Sequence, residues 1–224
     1  MKYLRKYETK DESFKDVLYN PEFPTPSVVY LEKEKNVFYI KDAEPLYVDL
    51  GLPSGTLWCR WNVGADYLDE SRWDNFGLYF KWGETVGYQT KEECKAAPYK
   101  FNPSGDNATF TKYNDTDGLK TLELEDDPVH AIMGFDWRLP TFAQCKELEE
   151  NISGSDGVFV SKINGNKIYI PCNDGIPVLW SSTLNEENVK SAHLIFGWHE
   201  YIGANSIYDR CLPCPIRGVI NVKK

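Results

Sequence analysis

No stretch of this 224-residue sequence approaches the roughly 18 consecutive apolar residues that a membrane-spanning helix requires. The N-terminus, MKYLRKYETKDESFKDVLYN, carries early charges with no apolar segment behind them, so no secretory signal is read there. Positive charge is in short supply. Against 34 Asp and Glu stand 25 Lys and Arg, a net charge of −9 with neutral histidines. No basic stripe is available to displace counterions from phosphates, which argues against nucleic acid and against an anionic membrane surface. Histidine is scarce too: His130, His193 and His199 are the only three. No Ser/His/Asp set has motif support, and no glycine-rich loop of the phosphate-cradling kind is present. Internal repeats and low-complexity tracts are lacking.

What the sequence does hold is enough to fold. Hydrophobic residues make up 42%, sufficient to fill a core, and the length suits one domain or one domain with an appendage. At this size roughly 70% of the unfolded chain's surface should be buried. Seven Trp and 14 Tyr point to a β-rich, loop-heavy core or to a ligand surface. Without an export signal the chain is expected to fold in a reducing cytosol. Its six cysteines (Cys59, Cys94, Cys145, Cys172, Cys211, Cys214) then read as free thiols, several of them small core residues. The sequons at Asn107, Asn114 and Asn151 carry no weight on that route.

Residues 1–45 differ from the rest. Thr9-Lys-Asp-Glu12 has capping-box spacing ahead of Phe14, Val17 and Leu18, which predicts a short helix over about 10–19. Pro21, Pro24 and Pro26 end it. Ser27–Leu31 and Val37–Ile40 flank the charged turn Glu32–Asn36 and predict a hairpin. A helix and one hairpin are too little to stand alone, so this unit must pack on the body or on a partner.

Beyond about residue 46, short β-type runs recur between turn signals: Tyr47–Leu50, Leu78–Trp82, Val158–Ile163, Lys167–Pro171, Val178–Leu184, Ala192–Phe196 and Ile216–Val222. Asn164-Gly165 predicts a type I′ hairpin. Thr141-Phe-Ala-Gln144 is a capping box that opens a helix with Phe142, Cys145 and Leu148 on one face. Asp126-Asp-Pro128 predicts the cap and first turn of a shorter helix through Met133. Residues 84–120 read as a long irregular region. The pattern is α+β, with antiparallel strands, two short helices and much loop.

The ordered phrases of this second unit resemble the Fibrobacter succinogenes major paralogous domain. They are Tyr47–Trp58, Trp61–Ala65, Phe76–Thr85, Trp137–Thr141, Asn164–Pro171, Trp180–Thr183 and Arg217–Ile220, spanning about 47–222. The resemblance implies a C-type-lectin-like fold, a loop-rich antiparallel sheet shared with formylglycine-generating enzymes and with receptor-binding tips of some phages. Met1–Thr9 is similar to the starts of structural proteins in phages of gut Bacteroidales. Many relatives carry an export signal and none is read here, which favours a virion protein released by lysis. Independently of any family, Trp58, Trp61, Trp82 and Trp137 sit where large rings anchor loops to a thin sheet, and Gly51, Gly55, Gly64, Gly77, Gly83 and Gly134 lie beside them.

Several chemistries invite attention and fall short. Cys211-Leu-Pro-Cys214 is a CxxC, but prolines flank its second cysteine and no βαβ context surrounds it, against a redox role. Zinc would need Cys172 or His199 recruited from far away. The late cysteine pair evokes the formylglycine-generating oxidases, whose signature phrases are missing. Glu123, Glu125, Asp126 and Asp127 could hold Ca²⁺ with backbone oxygens, although four acids on a loop are more often a solvated cap.

The most informative stretch is 185–211, the segment that carries the ligand-facing surface in the C-type-lectin fold. Trp198, His199, Tyr201, Asn205, Tyr208 and Arg210 are of the types that give contact area at low entropic cost. The expectation is a non-enzymatic bacteriophage virion protein, a head or tail decoration or fibre component, with no cofactor and no metal. Residues 1–45 would anchor it to other virion proteins, and 46–224 would display a C-type-lectin-like domain toward a host-surface glycan or protein. A homo-oligomer is expected because the anchor needs a partner surface. A bacterial carbohydrate-binding or adhesion module is the alternative, with an oxidase of the formylglycine-generating type behind it.

Overall fold

The computed structural model describes residues 7–8, 27–32, 37–45, 47–65, 75–106, 109–134, 136–171, 177–198 and 201–221. The helix expected over 10–19 lies outside them. The N-terminal hairpin forms: β2 (Ser27–Glu32) pairs antiparallel with β3 (Val37–Pro45), and the two-residue β1 (Tyr7–Glu8) adds to the other side of β3.

The body consists of small antiparallel sheets. β4 (Tyr47–Val48), β5 (Thr56–Cys59) and β14 (Val219–Asn221) form one, and β6 (Tyr79–Phe80) pairs with β13 (Cys214–Pro215) in a second. β7 (Ile152–Ser155), β8 (Val158–Ser161) and β9 (Lys167–Tyr169) form a meander. β10 (Pro177–Leu184), β11 (Ser191–Trp198) and β12 (Tyr201–Asp209) make the longest sheet. The protein is therefore α+β, antiparallel and loop-rich.

That longest sheet explains the core. Successive strand residues point to opposite faces. Trp180 and Leu194 enter one apolar cluster, with Phe80, Trp82, Tyr99, Phe101, Phe110, Tyr113 and Trp137. Their neighbours Leu179 and Ile195 enter another, with Leu50, Trp58, Leu148, Phe159 and Ile168. A sheet covered on both faces needs continuous rather than alternating apolar sequence, and Leu194-Ile-Phe196 supplies it. Each buried indole removes roughly 150–250 Å² from water, worth at most about 4–6 kcal/mol. Two of them also bond across the sheets. Trp82 Nε1 donates to the Ser181 carbonyl and Trp180 Nε1 to the Phe80 carbonyl, both at 2.9 Å.

Three α-helices are present among the described residues, where two were expected. Thr90 and Glu93 form a capping box on α1 (Lys91–Ala96), inside the stretch read as irregular. Asp127 caps α2 (Pro128–Met133), and Thr141 with Gln144 caps α3 (Phe142–Asn151), both as their sequences predict. No helix among the described residues is long and apolar enough to cross a membrane.

The turn at Asn164-Gly165 differs from expectation. Ser161 N donates to the Asn166 carbonyl, so the loop holds four residues, and only Gly165 takes a positive φ. Asn164 instead donates through Nδ2 to the Asp49 carbonyl at 2.9 Å. The type I′ requirement of two positive φ values is met at Asp156-Gly157, with φ 52° and 81°, between the paired Ser155 and Val158.

Gly77 shows why the glycines beside the tryptophans are needed. Its φ is 72°, and a Cβ there would lie 2.3 Å from the Val63 carbonyl oxygen. Gly77→Ala should cost more than about 2 kcal/mol in urea unfolding, from left-handed strain plus the clash. Gly105→Ala, with φ 68° and open space around it, should cost about 1 kcal/mol.

Candidate functional site

Of the six residues expected to form a contact surface, Tyr208 and Arg210 lie at the opposite end of β12 from Trp198 and Tyr201. Trp198 and Tyr201 pair at the β11–β12 turn, with His199 outside the described residues. Asn205 sits in β12 at the irregularity where Leu194↔Ser206 gives way to Phe196↔Gly203. Tyr208 lies near the other end, roughly 23 Å from Tyr201 at 3.3 Å per strand residue. It is half-buried and packs on the first cluster, its ring centroid 5.9 Å from that of Trp180.

Arg210 is a correction. It is 0% exposed, and its guanidinium stands 3.7 Å from the Phe110 ring centroid, with Trp82, Tyr99 and Phe101 within 6 Å. Nη1 donates to the Tyr113 carbonyl at 2.8 Å and Nη2 to the Lys112 carbonyl at 3.0 Å. The planar, weakly hydrated guanidinium can enter such a site because aromatic faces attract it. A side chain so enclosed holds the fold and cannot meet a ligand. Trp180, another late residue of a type suited to contact, is equally buried.

The acidic run resolves into structure. Asp127 is the α2 cap, accepting from Val129 N at 2.9 Å and His130 N at 3.1 Å. Carboxylate oxygens of Glu123, Glu125 and Asp126 lie within 4.8 Å of one another, as a metal would require. Lys112 Nζ already reaches all three, at 2.5, 2.8 and 2.7 Å, and Lys100 Nζ reaches Asp126 at 2.8 Å. An ammonium thus fills the place of a cation. Burial alone would raise the Asp126 pKa, but bonds from Lys100, Lys112 and Tyr113 outweigh it and hold the carboxyl below the ordinary value.

Among the described residues the thiols are shifted away from the thiolate. Burial pushes Cys211 up to about 12, helped by Asp209, and Cys94 up to about 11. Burial also carries Cys214 well above the usual thiol value. Reactive or metal-binding cysteines need the opposite shift. Cys211 lies in the turn after β12 and Cys214 in β13, neither of them at a helix N-terminus among the described residues.

One cleft, of about 320 Å³, was not anticipated. It opens beside the end of α1, between the Tyr99–Gly105 turn and Cys211–Leu212. Lys81 forms part of its wall although only 5% exposed. A lysine inside the apolar run Leu78-Tyr-Phe-Lys-Trp82 was the signal for it. Asn102, in the same wall, is 3% exposed.

Comparisons with protein-family models, with curated proteins and with solved structures find no match to this chain.

The low pKa of Asp126 has a consequence for acid stability. A depressed folded-state pKa stabilises above the unfolded value near 4 and is lost as pH falls through the folded value. Asp126→Asn should cost about 2–3 kcal/mol at pH 7, because two ammonium groups and the Tyr113 hydroxyl lose their charged partner. The difference between parent and variant, measured by urea unfolding, should shrink as pH drops from 5 to about 2.

Proposed function

We propose that this chain is a non-enzymatic structural protein of a bacteriophage particle, with residues 1–45 as the attachment segment and 46–224 as a C-type-lectin-like display body. The sequence resemblance to the Fibrobacter succinogenes major paralogous domain supplies the fold family in this reading. The single observation that carries the division of labour is the N-terminal sheet. β1, β3 and β2 hydrogen-bond in that order, and among the described residues no strand of the body joins them. Three strands, one of only two residues, give little area on which to stand alone. Val28-Val-Tyr-Leu31 is apolar at four consecutive positions, which suits a strand covered on both faces. Neighbouring particle subunits, including copies of this chain, would provide the cover.

The body suits display because its charged interior groups are engaged in holding loops. Arg210 bonds the 112–113 backbone, and Arg217 donates to Asn62 Oδ1 at 2.8 Å and to the Tyr169 carbonyl at 2.7 Å. Contact with a host-surface glycan or protein is assigned to the β11–β12 turn, with Trp198, His199, Tyr201 and Asn205. Tyr208 and Arg210 are left out of that set because they serve the core.

Mass spectrometry of gradient-purified particles from a lysate of a strain carrying the gene tests the reading. Peptides of this chain should co-purify with the particle proteins, and a chain lacking residues 1–45 should stay in the soluble fraction. Recovery of the full chain only from host-cell envelopes would favour a bacterial adhesion module and refute the proposal.

A further inference from the structure

The cleft beside α1 carries a charge pattern opposite to that of the protein. The chain has a net charge of −9, yet the cleft lining includes Lys81 and Lys95 and no aspartate or glutamate. Lys81 is the decisive residue. Its ammonium donates to the carbonyls of Lys95, at 3.4 Å, and Ala97, at the end of α1. No ion pair to it is found among the described residues. An ammonium has three donor hydrogens, and those carbonyls take two. A buried charge normally has a charged partner, because desolvation is costly without one.

Asn102 adds an independent observation. Its Oδ1 accepts from Ser104 Oγ at 3.1 Å and Gly105 N at 2.9 Å, which fixes the orientation of the amide. Its Nδ2 is then a buried donor with no acceptor. Lys81 and Asn102 both belong to the wall of one cleft, with Asn102 Nδ2 buried behind it, and the cleft's volume lies at the lower end of the small-ligand range. Pro98, Pro103 and Leu212 give the rest of the wall an apolar character suited to the carbon skeleton of a ligand.

We propose that this cleft binds a small organic anion, a carboxylate or sulfate group carried on a sugar-sized skeleton. Lys81 Nζ donates to the anionic oxygens, and Lys95 adds positive charge at the rim. This site is separate from the β11–β12 turn and does not depend on a role in a virus particle.

Isothermal titration of the full chain with glucuronate, glucose and inorganic sulfate tests it. Glucuronate should bind with a Kd below about 10 mM, more weakly as salt is raised, while glucose should not bind in that range. Lys81→Met keeps the apolar stem and removes the charge, and should weaken glucuronate binding at least about tenfold. Lys95→Glu, at an exposed position, should weaken it without touching the core, so the test survives if Lys81→Met does not fold. Equal binding of glucose, no binding of glucuronate, or parental affinity in a folded Lys81→Met or in Lys95→Glu would each overturn the proposal. Binding of sulfate without glucuronate would reduce the cleft to an inorganic-anion site and overturn it as well.

Discussion

A guanidinium enclosed by aromatic rings is the contact on which the body depends. Arg210 follows β12, and its side chain reaches under the 99–126 loop, where Phe110, Trp82, Tyr99 and Phe101 surround it. It bonds the carbonyls of Lys112 and Tyr113, the second of them buried. Its own carbonyl accepts from Trp82 N at 3.0 Å, so the same residue ties β12 to the segment after β6. Burial pulls its pKa down from the ordinary arginine value, but a guanidinium keeps its proton even so. Lysine could not replace it, since an ammonium is more strongly hydrated and lacks the planar fork that meets two carbonyls at once.

From that contact outward the loop is built in layers. Tyr113 takes a φ of 59°, uncommon for a residue with a side chain. Its strain is offset by bonds on both sides. Tyr113 N donates to Asp117 at 2.7 Å, and its hydroxyl donates to Asp126 at 2.6 Å. Asp126 in turn gathers Lys100 and Lys112. A stretch with little regular secondary structure is thereby fixed by side chains rather than by a ladder. Loop is held in place here without the hydrogen-bond ladder of a sheet.

The local devices were legible in the sequence because each is encoded within four residues. Both capping boxes and the Asp127 cap fall into this group, although the box at Thr90 was passed over amid the polar residues around it. The glycines beside tryptophans were legible for the same reason: Gly77 and Gly83 both take positive φ. The Asn164-Gly165 turn misled because Asn164 had a better use for its amide, on the Asp49 backbone 115 positions away. Long-range side-chain roles were hidden. Nothing near Arg210 in sequence announces the rings that enclose it, so its type and late position read as a contact residue. Lys81 was visible only as a charge out of place in an apolar run, and Asn102 as one polar residue among many.

Hydrogen exchange of the parent chain and Arg210→Met, compared segment by segment, tests the central claim that this guanidinium fixes the long loop. Amides of the 99–126 segment, Thr111 and Tyr113 among them, should exchange at least about tenfold faster in the variant, while α3 and the β7–β8 hairpin keep parental protection. Unchanged protection across 99–126 in the variant would contradict the account.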